Sequence, residues 1–361
     1  MKTSNYISFC TFALSCLFAF SLSSCSTEDV PRIDGDYGYI FTTIRTPNTL
    51  GLTDEDDVIH TIRIFVFVGE LLETQKLFER DEDEWKNSFR LRVTTGRKNV
   101  MVVANETDLM TPELEDVETL QDLYIIMADP LLNDEPFHFN PAHGIPMTGS
   151  GVATLLTANE VYETIIALTR LTAKLEIVII DEAPYPFRIK SITLENNKTT
   201  SLLWDRSDDA FLTAHEDDFF DIDVNINNSH PTSPIGIRRA IEDGRPVWRV
   251  DFIYLYENLH GQENIKKATR LVVETELDLG GGETFIVTHE VYINQHLPPP
   301  SPITGYDLRF LIQRGHHYRL TGTIWGTEYT HISVKMEAKP WNDDQGSNHR
   351  PLPPPQPRPN N

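Results

Sequence analysis

The sequence predicts a mainly β protein: two tandem β-sandwich domains with one or two short helices. Three observations carry that prediction. Apolar residues recur at every second position through most of the chain, the period of a strand with one face against a core. Only one segment shows helical spacing. The length, 361 residues, exceeds what one small core encloses and suits two domains.

At the N-terminus, Lys2 precedes an apolar run from Phe9 to Leu22, followed by Ser23-Ser24-Cys25. A short basic region, an apolar stretch too short to span a bilayer comfortably and small residues before a cysteine describe a secretory signal with a lipoprotein cleavage site. Residues 1–24 are then the signal and Cys25 is the lipidation site, its thiol joined to diacylglycerol. Cleavage before Cys25 frees an amine for a further acyl chain. At ~0.8 kcal/mol per buried methylene, several acyl chains hold a domain at a membrane almost permanently. The plainer alternative is an ordinary signal peptide with an incidental cysteine. Residues 25–36 are polar and acidic, with Pro31 and Gly35, and read as a spacer.

Composition narrows the function classes. The net charge is -23, from 54 acidic and 31 basic residues, which repels phosphate backbones and excludes nucleic acid as a partner. Of the 3 cysteines, Cys10 and Cys16 leave with the signal and Cys25 carries lipid. Without disulfides, stability must come from packed apolar area and backbone pairing.

The strands follow in order. Gly38 to Arg45 reads as the first, with Tyr39, Phe41 and Thr43 on one face and Ile40, Thr42 and Ile44 on the other. Ile62 to Val68 and Asn99 to Ala104 are apolar on both faces, as central strands covered on two sides would be. Ser88 to Val93 alternates cleanly. Leu171, Ala173, Leu175, Ile177 and Ile179 alternate with Arg170, Thr172, Lys174 and Glu176, predicting one dry and one wet face. Trp248, Val250, Phe252 and Tyr254 repeat the pattern, as do Ile332, Val334, Met336 and Ala338. Thr269–Leu279 and Thr284–Ile293 form a hairpin through Gly280-Gly281-Gly282, where positive φ is easily reached.

The helical segment starts at Thr111, a capping residue, with Pro112 at the first helical position and Glu113, Glu115 and Asp116 at the positive end of the dipole. Leu114, Val117, Leu120, Tyr124 and Met127 then form a stripe that packs over a sheet. The domain break falls near Leu168-Thr169, giving domains 37–168 and 169–342. Residues 343–361, rich in proline, form a disordered tail.

Catalytic chemistry finds no footing. Ser150, in Thr148-Gly149-Ser150-Gly151, misses the nucleophile elbow because Thr148 replaces its first glycine, and it reads as a loop. No thiol remains for cysteine catalysis. His316-His317 and His289-Glu290 put neighbouring side chains on opposite strand faces, so neither pair ligates one metal; they read as surface or turn histidines. Asp54–Asp57 and Asp205–Asp209 lack calcium-loop spacing and read as solvated connections. Asn105-Glu106-Thr107 and Asn197-Lys198-Thr199 match a glycosylation sequon by chance. The expectation is a non-enzyme without metal or cofactor.

Several phrases together resemble a family. Ile62-Arg-Ile-Phe-Val-Phe-Val68, followed by Thr95-Gly-Arg-Lys-Asn-Val-Met-Val-Val-Ala-Asn105, is similar to the start of FimA-like fimbrillins of Bacteroidota. Ile145-Pro-Met-Thr-Gly149 resembles that family's (I/F)PM(S/T)G, and Leu168-Thr-Arg-Leu-Thr-Ala-Lys-Leu175 its (V/L)xRxxAKV strand. Phe252-Ile-Tyr-Leu-Tyr-Glu-Asn258 resembles FYVPEN, with Leu255 and Tyr256 as departures. Arg314-Gly-His-His-Tyr-Arg-Leu320 resembles RNxxYxV, with Gly315 in the place of asparagine. Lys339-Pro-Trp341 resembles the closing phrase.

The resemblance implies two transthyretin-like sandwiches in an outer-membrane lipoprotein precursor, surface-exposed, that joins other fimbrillin subunits in a fimbrium supporting adhesion. It implies that an arginine-specific protease removes the first strand and that a neighbour's C-terminal strand replaces it. On this chain the displaced strand carries Tyr39, Ile40, Phe41 and Ile44. The cut follows Arg45, with Arg32 as the alternative that spares the strand. The donor strand carries Ile332, Val334, Met336 and Ala338. The proline-rich end departs from a polymerising subunit's strand-competent terminus. A tip or anchor component, or a monomeric lipid-anchored adhesin, is therefore the alternative reading.

Overall fold

A computed structural model describes residues 36–46, 58–80, 88–128, 144–155, 157–182, 187–204, 219–224, 226, 235–250, 252–260, 262–295, 309–325 and 331–340. Cys25, Arg32, residues 25–35 of the spacer, both acidic runs, Trp341 and the proline-rich tail lie outside the described residues.

The chain runs β1 (Tyr37–Arg45), β2 (Thr61–Val68), β3 (Leu71–Glu79), β4 (Ser88–Thr94) and β5 (Gly96–Ala104) into two short helices, α1 (Met110–Glu115) and α2 (Leu120–Ile125). It continues through β6 (Met127–Ala128), β7 (Met147–Leu155), β8 (Val161–Ala167), β9 (Thr169–Arg170), β10 (Thr172–Asp181), β11 (Phe187–Lys198), β12 (Ser201–Leu202) and β13 (Phe219–Asp223). The remainder is β14 (Ile237–Glu242), β15 (Arg245–Val250), β16 (Ile253–Tyr256), β17 (Arg270–Gly280), β18 (Glu283–Tyr292), β19 (His316–Trp325) and β20 (His331–Pro340). The protein is mainly β, as the alternation predicts.

A three-stranded sheet, β4-β1-β8, faces a five-stranded sheet, β3-β2-β5-β7-β9. Ile40, Leu91, Val93 and Ile166 from the first meet Ile64, Val66, Val102 and Leu155 from the second in one buried cluster. The opposite face of the five-stranded sheet is also covered: Phe65, Phe67, Met101 and Val103 pack against Met110, Leu114 and Leu123 of the helices. That double cover explains why β2 and β5 are apolar on both faces.

The single predicted helix is in fact two. Thr119 caps the second through its hydroxyl, which accepts from Asp122 N–H at 3.2 Å, while the Asp122 carboxylate accepts from Thr119 N–H at 2.8 Å. This reciprocal box starts α2 afresh and breaks the predicted helical run. These hydrogen bonds hold the Asp122 carboxyl below the usual carboxylate range. Thr111 does not cap; its hydroxyl donates to Thr107 O at 3.1 Å and Glu106 Oε1 at 2.9 Å. Met127 lies in β6.

A second pair of sheets follows. The order β14-β15-β10-β19-β20, with β16 also on β10, faces β13-β11-β17-β18. Leu175, Ile177, Ile192, Leu194, Ile253, Val273 and Leu320 lie in the cluster between them. The chain changes sheets after Arg170, because β9 pairs with β7 while β10 opens the second set. The Gly280-Gly281-Gly282 turn joins β17 to β18 with φ of +84°, +69° and +90°, as the glycines predict.

Three expectations are corrected here. Strand β10 has no wet face: Lys174 and Glu176 are buried. Phe252 lies 4.1 Å from Lys174 Nζ, and Arg249, Arg319 and His317 surround Glu176 at 3.2, 3.7 and 3.9 Å. Long side chains from neighbouring strands therefore roof the face, which a single strand's pattern does not report. The run from Trp248 to Tyr254 changes face part-way. Val178 pairs Arg249 and Leu175 pairs Ile253, so one extra residue stands against β10. This bulge turns Ile253 and Leu255 inward and leaves Phe252 43% exposed. Ser150 is an exposed strand residue of β7, opposite Met101, rather than part of a loop.

Candidate strand-exchange site

Strand β1 fills the middle of its sheet. It pairs antiparallel with β4, from Tyr37↔Thr94 to Thr43↔Ser88, and parallel with β8, from Tyr39↔Val161 to Arg45↔Ala167. It is therefore a central strand and not an edge strand. β8 lies some 120 residues away in sequence, and no local pattern announces a partner at that distance.

The two faces of β1 are those its alternation predicts. Ile40 and Thr42 are fully buried, and Ile44 packs on the same cluster. The Thr42 hydroxyl has no hydrogen-bond partner among the described residues. Gly38 is required by close approach: a β-carbon there would sit 2.5 Å from Leu155 Cδ2 and 2.7 Å from Glu160 O. The neighbouring Tyr39 N–H donates to that same carbonyl at 2.8 Å.

Arginines of β4 cover the outward face. The Arg90 guanidinium sits 3.6 Å from the Tyr39 ring centre and 5.7 Å from that of Phe41; Arg92 sits 4.1 Å from Tyr37. Register explains the geometry: Phe41 is opposite Arg90 and Tyr39 opposite Arg92, so each arginine leans diagonally by one pair. Exposed Val161 and Ile165 of β8 flank the aromatic row on the other side.

Arg45 ends β1 with an exposed side chain, and its carbonyl accepts from Leu168 N–H at 2.9 Å. At the other end of the chain, β20 pairs with β19 along ten residues, His316↔Pro340 to Trp325↔His331. It is the last strand of its sheet among the described residues. Ile332, Val334, Met336 and Ala338 alternate along it. The predicted displaced and donor strands thus lie in different sheets.

The resemblance phrases coincide with joints of the fold, which sequence reasoning did not assign. Asn105 has φ +58°. Its side chain accepts from His60 N–H at 2.8 Å and donates to Val58 O and Ile145 O, both at 2.9 Å. Gly149 lies so close to β8 that a β-carbon would meet Ala167 O at 2.6 Å, and Thr148 Oγ1 donates to Leu203 O at 2.9 Å. Gly315 has φ +67°, a conformation glycine and asparagine both reach, so the substitution in that phrase keeps the turn. Arg314 donates to Leu203 O at 3.0 Å and Leu202 O at 2.9 Å, and pairs with Glu257. Asn258 donates to Lys267 O at 2.9 Å and Asn196 O at 3.2 Å. The signal was there: Asn and Gly standing at strand ends mark positive φ.

The histidines scatter. His289 is buried, 4% exposed, with its Nε2 3.3 Å from Thr275 Oγ1, which corrects the surface reading; burial lowers its pKa. His316 Nδ1 lies 3.0 Å from Arg314 O. Asn105 and Asn197 of the two sequons are both buried. Among the described residues, no three of His, Cys, Asp and Glu lie together as a metal site, and no helix is long and apolar enough to cross a membrane.

Comparison with known proteins agrees with this architecture. Residues 42–200 match the family model for the major fimbrial subunit protein FimA. Over 295 residues the chain is 26% identical to the major fimbrium subunit FimC of Porphyromonas gingivalis, covering 79% of this chain. The chain spans 58% of the length of that curated relative. The fold is similar to a fimbrilin (FimA) of Porphyromonas gingivalis, with TM-score 0.54 and 14% identity over 85% of this chain and 98% of that one. It is likewise similar to the tip fimbrial protein Mfa3 of the same species, with TM-score 0.53 and 15% identity over 84% and 100%. Residues 42–200 are thus similar to the major fimbrial subunit protein FimA, and the fold is that of the fimbrilins.

Proposed function

We propose that the chain is a structural subunit of cell-surface fimbriae, assembled by exchange of β1 for a strand of another subunit. The observation that carries this reading is the position of β1. It is held by seven registered pairs on each side and lies across a continuous apolar cluster, with an exposed arginine at its end. Withdrawal would leave β4 and β8 as two open edges about 10 Å apart, twice the interstrand spacing. The floor between them would be Ile64, Val66, Val102 and Leu155 of the facing sheet, in the cluster that Ile40 now caps. Unpaired backbone groups above bared apolar surface are unfavourable until another strand enters.

In this reading the precursor is exported as a lipoprotein through Cys25 and held in the outer membrane. Cleavage after Arg45 by an arginine-specific protease separates β1 from the body. The precursor comprises two domains, 37–168 and 169–342, and the sheet change after Arg170 supports a break two residues beyond Leu168. A second reading, a tip or anchor component or an adhesin that does not polymerise, is favoured by β20 being engaged with β19 along its length.

Treatment of the full precursor with an arginine-specific protease tests the proposal. The expected result is a new N-terminus at Thr46 and, with a second fimbrial subunit present to donate a strand, denaturant-resistant oligomers. Quantitative cleavage after Arg45 that yields only monomers with both subunits present would rule out strand exchange.

A further inference from the structure

We infer that Arg90 and Arg92 are specificity determinants for the strand seated beside β4. They favour a donor from a different chain, with aromatic side chains at alternate outward positions, over this chain's own β20. The inference rests on the strand-exchange reading and adds to it the chemistry of the incoming partner.

Both arginines lie on the exposed side of β4, on either side of buried Leu91. Neither takes part in the core, so their contacts are with whatever strand lies alongside. At present that strand presents Tyr37, Tyr39 and Phe41, and the guanidinium groups sit at 3.6 and 4.1 Å from the nearest two ring centres. A cation over an aromatic face is attracted by the ring's quadrupole, more strongly once water is excluded. A replacement strand lacking rings at those positions forfeits the contacts and leaves two cations on its flank.

The segment His331–Pro340 meets that description poorly. With Ile332, Val334, Met336 and Ala338 turned to the floor, period two turns Ser333, Lys335, Glu337 and Lys339 outward. That row has no aromatic residue and carries two lysines against two arginines, with Glu337 the sole opposite charge. Like charges across neighbouring strands are destabilising. The opposite register would aim Lys335 and Lys339 into the apolar floor. The fitting occupant is a strand reading aromatic-x-aromatic-x-aromatic outward and small or aliphatic inward, supplied by another subunit type.

The test uses the full protein cleaved after Arg45 and three fluorescent peptides, with binding followed by anisotropy. One carries residues 36–45, one the same with Tyr37→Leu, Tyr39→Leu and Phe41→Leu, and one residues 331–340. The expected result is tight binding of the first and about tenfold weaker binding of the second. The third should bind no better than the second. In the Arg90→Met/Arg92→Met protein the tenfold preference should fall to within about twofold; both residues are exposed, so folding is unaffected. Equal binding of the first two peptides, a preference that survives the arginine substitutions, or tight binding of the 331–340 peptide would overturn the inference while leaving strand exchange standing. If no peptide binds the cleaved protein, strand exchange fails and the inference falls with it.

Discussion

Arg63 and Glu106 form a bidentate pair beneath the helices, Nε to Oε2 and Nη2 to Oε1, both at 2.7 Å. Both side chains are almost fully buried, and Gln75 Oε1 accepts a further hydrogen bond from Arg63 at 3.2 Å. Removing Glu106 leaves the buried guanidinium with only exposed Glu115, 3.7 Å away, as a counter-charge among the described residues. Glu106→Gln should therefore lower stability by about 3–5 kcal/mol, read as a fall in the denaturant midpoint of unfolding. An unchanged midpoint would show that the pair contributes nothing.

Gly149 permits the close approach of β7 and β8. Gly149→Ala places a methyl 2.6 Å from a backbone oxygen that has no easy escape, and 2.7 Å from Ile166 Cγ2. The expected loss is about 1–3 kcal/mol, measurable by thermal unfolding. Since Ile166 and Ala167 pair with β1, the variant should also speed amide exchange along β1.

Thr42 offers the opposite case. Its hydroxyl is buried without a hydrogen-bond partner among the described residues, a penalty of roughly 1–3 kcal/mol for a buried polar group. Thr42→Val keeps the shape and removes the hydroxyl. It should raise stability by about 1 kcal/mol and slow the release of β1 after cleavage, followed by size-exclusion chromatography over time.

His289 predicts a pH dependence. Burial holds its pKa below the ordinary value of 6.5, so between the folded and unfolded pKa values the unfolded chain binds the proton more readily. Stability is then full above about pH 6.5 and declines as pH falls below it toward the lowered folded value. His289→Gln should flatten that part of the stability–pH curve, measured by urea unfolding between pH 5 and 8. The buried phenol of Tyr318, pushed up to about 12 by burial, acts in the alkaline range and leaves this window untouched.

The legible part of the fold was the part governed by local periodicity. Clean alternation in Ser88 to Val93 and the double-sided runs at Ile62 and Asn99 follow from which faces are covered. The glycine turn at 280–282 follows from backbone sterics. What escaped was set by distant neighbours. Lys174 and Glu176 look solvated in sequence and are buried because Phe252, Arg249 and Arg319 close over them. Thr119 and Asp122 restarted a helix that the apolar stripe alone would have continued. Both faces of β1 were legible from its own residues, but its central place depends on β8, and the arginine contacts depend on a register that only the pairing with β4 supplies.

The parallel pairing of Tyr39 with Val161 also orders events in time. The ribosome releases β1 long before β8 exists, and closing so long a chain segment is entropically slow. The N-terminal strand can pair with β4 early, but its other side stays open until Val161–Ala167 has been made. In that interval the unpaired side of β1 is open to a passing strand from elsewhere, which competes with the molecule's own β8.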